Sequence, residues 1–287
     1  LAEVEVIPHR IFMNSQYLIV NPLKTDSKLW KGLGAVTLAP KKLKHQQHLL
    51  PHVVPLEALS TDQRLKLLDE HDRTITTGGG SLWSCAIKSA ATLDDLTVHL
   101  ARNMIVQTPH GKQFLLRYFD SRVFRHLLWI FSPGQFASFM GPISEWYWVD
   151  PERSEVWQES RPSRCEATSA LSSDQWGALN RIGLLNRTLS DLQRGGVEVK
   201  HDVELYRHVD ALLADAIEVE GLVDSEDQCL YTLHCVKYGE HWGKLREVKS
   251  ILERVRSGAG SYFALSSELA SQGASSALEK LEGNLHA

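Results

Sequence analysis

The stretch FLLRYFDSRVFRHLLWIFSPGQFASFMGPISEWYW (residues 114–148) changes its periodicity several times, and those changes decide the fold class. Residues 114–118 form a short apolar run behind Thr108, Pro109, His110, Gly111 and Lys112, whose Pro and Gly favour a chain reversal, so a strand is expected. From Ser121 the spacing becomes helical: Val123, Phe124, Leu127, Leu128 and Phe131 make one apolar stripe that ends before Pro133. A second short helix is expected over 134–140, and 143–149 then reads as a strand rich in aromatics.

Working outward, residues 81–89 read as a buried strand and 92–105 as a helix with Leu93, Leu96, Leu100 and Met104 on one face. Further upstream, 15–21 predicts a strand stopped by Pro22, and 49–56 a second strand whose prolines favour a sheet edge. Ser60, Thr61 and Asp62 open a helix over 60–72. The Lys- and His-rich residues 24–52 show no assignable period, and their order in the absence of a partner stays open. Downstream, 156–157 is expected to pair with 143–149 across the Asp150, Pro151 turn, while 161–173, poor in large apolar residues, marks a boundary. Beyond it strand signals vanish, and helices are expected over 173–192, 202–218, 224–238 and 244–256. A flexible break at 257–261 and a loosely attached last helix follow. The expected fold class is therefore α/β (α+β). Residues 1–165 form a lobe with a mixed sheet and flanking helices, and residues 166–287 an all-helical lobe.

With 287 residues, of which 43% are hydrophobic and 23% charged, the chain can bury a sizeable core. A formal net charge of −4 argues against a general binder of phosphate backbones, so no nucleic acid is expected as partner. The most apolar stretches fall far short of the roughly 20 residues that a bilayer-spanning helix needs. No signal-peptide pattern opens the sequence, and a cytoplasmic location is expected. Cys85, Cys165, Cys229 and Cys235 are spaced as buried, reduced thiols rather than as a disulfide framework.

Known catalytic patterns do not account for the remaining polar groups. His45, His48 and His52 are interrupted by Pro51 and lack an acidic or thiol companion, while Cys229 and Cys235 fall on different faces of one expected helix, with His234 beside them. The glycines at 78–80 lack the Lys-Ser/Thr ending of a phosphate loop, and no nucleophile elbow or zinc-protease motif occurs. The expectation is no catalytic residue, no metal and no cofactor. The block Arg117, Tyr118, Phe119, Asp120 and Arg122 reads instead as a structural junction, with Asp120 capping the helix at Ser121 and accepting a forked bond from an arginine. Arg122 or Arg125 could instead face a partner, and Arg125 is a candidate for that role. So are Trp146, Tyr147 and Trp148, because alternation on a one-sided sheet would leave at least one of these rings accessible. A hydrolase-type enzyme with an active site assembled from distant residues is the alternative.

The same block, from Arg117 through Gln135 and Gly141, Pro142 to Trp146, resembles the type VI secretion system adaptor chaperones, a family once known only as a domain of unknown function encoded beside effectors. Residues 80–89, the helix carrying His99 to Arg102, and Asp174 with Gln175 are similar to further parts of that family. Ser121 stands where the family usually has proline. The resemblance implies a bacterial, cytoplasmic protein that is not an enzyme. It implies binding to a cognate effector, a toxin, and help in loading it onto the valine-glycine-rich spike protein, the protein-protein interaction behind toxin delivery in bacterial competition.

Overall fold

The computed structural model describes residues 8–23, 25–77, 82–108, 110–149, 157–163, 170–197, 200–239 and 241–271. The chain divides into two compact units, Leu1–Ser172 and Ser173–Ala287. The boundary expected at 165/166 lies outside the described residues.

In the first unit the order is α1 (Pro8–Asn14), β1 (Tyr17–Val20), β2 (Val36–Thr37), β3 (His52–Pro55), α2 (Thr61–Thr76), β4 (Cys85–Ser89) and α3 (Leu93–Asn103). The hairpin β5 (Ile105–Gln107) and β6 (Gln113–Leu115) follows, then α4 (Ser121–Ile130), α5 (Pro133–Met140), β7 (Ile143–Val149) and β8 (Trp157–Ser160). Six strands form one sheet in the order β2-β3-β1-β4-β7-β8. The expected α+β class holds, but every described pair is antiparallel rather than mixed. The reason lies in β1: β3 and β4, joined through α2, run parallel to each other, yet β1 sits between them and is antiparallel to both. The β-α-β pattern in the sequence is real, and its two strands never become neighbours.

Both faces of the sheet are covered. On one, Leu18, Val20, Val54, Ala86, Tyr147 and Val149 pack with Ile11 and Phe12 of α1 and Leu67 and Leu68 of α2. On the other, Trp146 stacks on Phe124 of α4 at 5.0 Å between ring centroids and lies 6.0 Å from Phe139 of α5. The helices are started by side chains the sequence supplies. Ser60 and Gln63 form a reciprocal cap on α2, and Ser132 and Gln135 do the same on α5, which therefore opens at Pro133.

Several expectations change here. β3 is an interior strand, because Pro51 precedes it and Pro55 ends it, so neither interrupts the ladder. Residues 114–118 yield only the short β6, which pairs with β5 alone, and the chain leaves it at Leu116. Residues 24–52, unassigned from sequence, contain 3₁₀ turns at Ser27–Leu29 and Lys41–Leu49 on either side of β2. β8 pairs with β7 as expected, with Val149 opposite Trp157, while 150–156 lie outside the described residues.

The second unit is helical: α6 (Ser173–Arg194), α7 (Val203–Glu218), α8 (Ser225–Tyr238), α9 (Arg246–Arg256) and α10 (Tyr262–Ser271). Asp202 and Asp224 cap α7 and α8. Arg181 of α6 forks onto Asp210 of α7, with both N–H···O distances at 2.9 Å. The helix expected to be loosely attached is anchored. Asp227 of α8 accepts the backbone N–H groups of Tyr262 and Phe263 at 2.8 and 2.9 Å, and the Tyr262 and Leu265 side chains are buried. A carboxylate at a helix N-terminus satisfies donors that the helix itself cannot.

Candidate functional site

The junction between β6 and α4 contains the residues singled out by sequence. Asp120 takes extended backbone geometry, and its carbonyl accepts from Val123 and Phe124 at 2.8 and 2.9 Å. Its Oδ1 accepts the Arg122 backbone N–H at 3.1 Å. The Arg122 guanidinium then closes a fork on the same carboxylate, Nε to Oδ1 at 3.0 Å and a terminal nitrogen to Oδ2 at 2.7 Å. That hydrogen bond raises the Arg122 pKa further above its ordinary range. Arg122 is thus the bracing arginine. Arg117 is exposed and lies over the Phe119 ring, 5.7 Å from its centroid.

Tyr118 and Phe119 point inward. The Tyr118 hydroxyl donates to the Leu100 carbonyl at 2.8 Å, and its ring meets Trp146 edge-on at 5.8 Å. Burial holds the Tyr118 hydroxyl well above its usual pKa, with the Cys85 thiol adding to the effect. Arg125 was a candidate for facing a partner, as were Trp146, Tyr147 and Trp148, of which at least one was expected to be accessible; all four are buried. The expectation assumed a one-sided sheet. Here Trp146 and Trp148 enter the layer of α4 and α5, while Tyr147 enters the layer of α1 and α2. A strand covered on both faces reads as a near-continuous apolar run, as residues 146–149 of β7 do.

One polar network was missed. Tyr147 donates to Glu145, which also receives Lys88 from the neighbouring strand at 3.0 Å and lies 3.3 Å from Arg161. Burial alone would raise the Glu145 pKa, but the bonds from Tyr147 and Lys88, with the Arg161 charge, together lower it. Glu145 therefore stays ionised and serves as a cross-strand acceptor. The i, i+2 spacing of Glu145 and Tyr147 on one strand was the available signal.

A second network lies in the helical unit. Trp242 Nε1 donates to the Tyr262 hydroxyl at 2.8 Å, and that hydroxyl lies 2.9 Å from His234 Nδ1. Burial, assisted by Lys237, lowers the His234 pKa to about 4. The tyrosine oxygen accepts from the indole, and the tautomer of neutral His234 sets the sense of its hydrogen bond with Tyr262. Nothing in the spacing of these residues announces the arrangement. His234 is thereby engaged away from Cys229, whose thiol contacts the Leu184 carbonyl at 3.8 Å. Among the described residues, no group of three or more His, Cys, Asp or Glu is placed to hold a metal ion. Cys85, Cys229 and Cys235 are buried thiols outside any disulfide, and Cys165 lies outside the described residues.

Residues 24–138 match the model of a family described as a domain of unknown function, DUF4123. No curated protein and no solved structure gives a significant match to the chain. The matched span takes in α2, β4, α3, the β5–β6 hairpin, the Asp120 junction and α4, and it ends inside α5. Among the described residues, no helix is long and apolar enough to cross a membrane.

Proposed function

We propose that the chain is a cytoplasmic adaptor chaperone that binds a type VI secretion effector and helps load it onto the valine-glycine-rich spike protein, acting by binding rather than by catalysis. The observation that carries this reading is the family match over 24–138, which contains the Arg117 to Arg122 block through which the chain resembles those adaptors. The chemistry of the block agrees with it. Asp120 and Arg122 neutralise each other in a structural fork, and Tyr118 and Phe119 lie in the core. A carrier needs a body that keeps its shape while partners come and go, and a sheet covered on both faces supplies one. With Arg125 and the β7 aromatics buried, partner contacts in this reading fall to other, exposed residues.

The test is affinity capture of the tagged chain from its native bacterium, with co-purifying proteins identified by mass spectrometry. Recovery of a toxin-like effector or of the spike protein is the expected result. Recovery of neither, together with turnover in a panel of hydrolase substrates, would overturn the proposal in favour of an enzyme.

A further inference from the structure

The face shared by the 3₁₀ segment Lys41–Leu49 and the β5–β6 hairpin has a composition found nowhere in the core. Lys42 Nζ donates to Gln113 Oε1 at 2.7 Å, joining two stretches that are 71 residues apart in sequence. Lys41, Lys42, Lys44, His45 and His48 are exposed on the first, and His110 and Lys112 on the second, with exposed Arg117 just beyond β6. Neither 40–56 nor 103–119 contains a single Asp or Glu, although the whole chain carries a formal net charge of −4. Apolar groups are interleaved with the cations. Leu49 and Leu115 are each 42% exposed, and Ile105, Val106 and Phe114 are half-buried. A two-stranded hairpin outside the main sheet is marginally stable by itself, and this one keeps apolar side chains partly in water.

We propose that this face docks an acidic, partly apolar segment of a protein partner. The idea deepens the adaptor reading and rests on it for the identity of that partner. Charge complementarity selects the acidic component: several exposed cations, on two stretches that carry no carboxylate of their own, attract and orient an anionic segment. The interleaved leucines select a polypeptide over a nucleic acid, because they offer contacts to apolar side chains rather than to phosphates. The net negative charge of the chain gives no long-range attraction for a polyanion. Lys112 lies over the Phe114 ring, 4.9 Å from its centroid.

The test is fluorescence anisotropy with three labelled probes: a short peptide alternating Asp and Leu, its Ser-Leu counterpart, and a single-stranded oligonucleotide. The Asp-Leu peptide is expected to bind most tightly. The combined variant Lys41→Glu, Lys42→Glu, Lys44→Glu, Lys112→Glu should weaken it by about ten-fold or more. Lys249→Glu, an exposed reversal on α9, should leave it unchanged. If the combined variant melts differently from the parent, Lys41→Glu with Lys44→Glu keeps the Lys42–Gln113 bond and gives the same readout. Equal affinity of parent and variant for the Asp-Leu peptide, or tighter binding of the oligonucleotide, would overturn the proposal. The two readings separate in cellular capture. Undiminished recovery of effector or spike by the charge-reversed variant rejects this face but leaves the adaptor. Peptide binding that depends on the lysines, without any captured effector or spike and with turnover of a hydrolase substrate, keeps the face and rejects the adaptor.

Discussion

Arg122 reaches back two residues to grip Asp120 with both arms of its guanidinium, while the same carboxylate caps the helix that Arg122 belongs to. The two members are not equivalent. The Asp120 side chain is 5% exposed and that of Arg122 is 55% exposed.

Asp120→Ala should therefore cost about 1–3 kcal/mol, because it removes a cap and leaves a buried helix start unsatisfied. Arg122→Ala should cost less, about 0.5–1 kcal/mol, since its half-exposed guanidinium makes a solvent-screened pair and the backbone N–H that Asp120 caps is kept. Arg117→Ala should lie within about 0.5 kcal/mol of the parent. Urea titrations read through hydrogen-exchange protection of the β7 amides check the order. Equal costs for Arg117 and Asp120 would show that the bracing arginine has been misidentified.

Trp146 is fully buried against Phe124, Tyr118 and Phe139. Replacing it with Ala should destabilise the first unit by about 3–5 kcal/mol through lost contacts and a cavity. Retention of the parental melt would mean that α4 and α5 can close over the gap.

Gly141 ends α5 at φ +53°, and an added Cβ would collide with the His99 ring. His99 and Asn103 hold the Phe139 carbonyl at 2.8 and 2.7 Å, so the imidazole cannot move without releasing the helix end. Gly141→Ala should cost about 2 kcal/mol or more, combining backbone strain with displacement of His99. A thermal melt within error of the parent would contradict the close approach.

His71 and His234 both have their pKa values lowered to about 4. Burial is the main cause in each, opposed by Asp72 for His71 and assisted by Lys237 for His234. Above the unperturbed value of 6.5, both are neutral in the folded and unfolded chain. Between 6.5 and about 4 only the unfolded chain takes up these protons, so stability falls as pH drops, by up to about 3 kcal/mol for each histidine. Urea midpoints compared at neutral pH and at about pH 5 should show the loss, and His234→Gln should remove its share of the slope. A pH-independent midpoint would contradict the burial assigned to both rings.

Tyr262→Phe deletes the hydroxyl that accepts from Trp242 and bonds His234. The stranded indole N–H should cost about 1–3 kcal/mol in the helical unit. The check is loss of protection in α10 with β7 unchanged. An effect confined to β7 would be inconsistent with the network.

What was legible in the sequence was local. The helix from Ser121, the caps at Ser60 and Asp120, the helices opening near Asp202 and Asp224, and the aromatic strand 143–149 follow from side-chain periodicity and backbone hydrogen bonding, and all appear in the structure. Of the stripe from Val123 to Phe131, Phe124 and Leu127 are fully buried, and Arg125 and His126 are buried with them. What failed depended on partners distant in sequence. Trp146, Tyr147 and Trp148 look available until both layers of helices are placed on the sheet, and Asp227 shows no link to Tyr262 across 35 residues. The choice of Arg122 over Arg117 was out of reach for a different reason. Both flank Asp120 closely in sequence, and only the turn at Tyr118 and Phe119 decides which one the carboxylate meets.

The position of β1 bears on how the matched family segment can be handled. Its borders at 24 and 138 leave out both β1 and β7. Excised there, β3 and β4 would flank an empty lane, their inward backbone groups without a ladder, and Phe124 would face water where Trp146 had been. The segment is thus the interior of a fold, not a portable module. Grafting it between proteins would succeed only if residues 17–20 and 143–149 travelled with it.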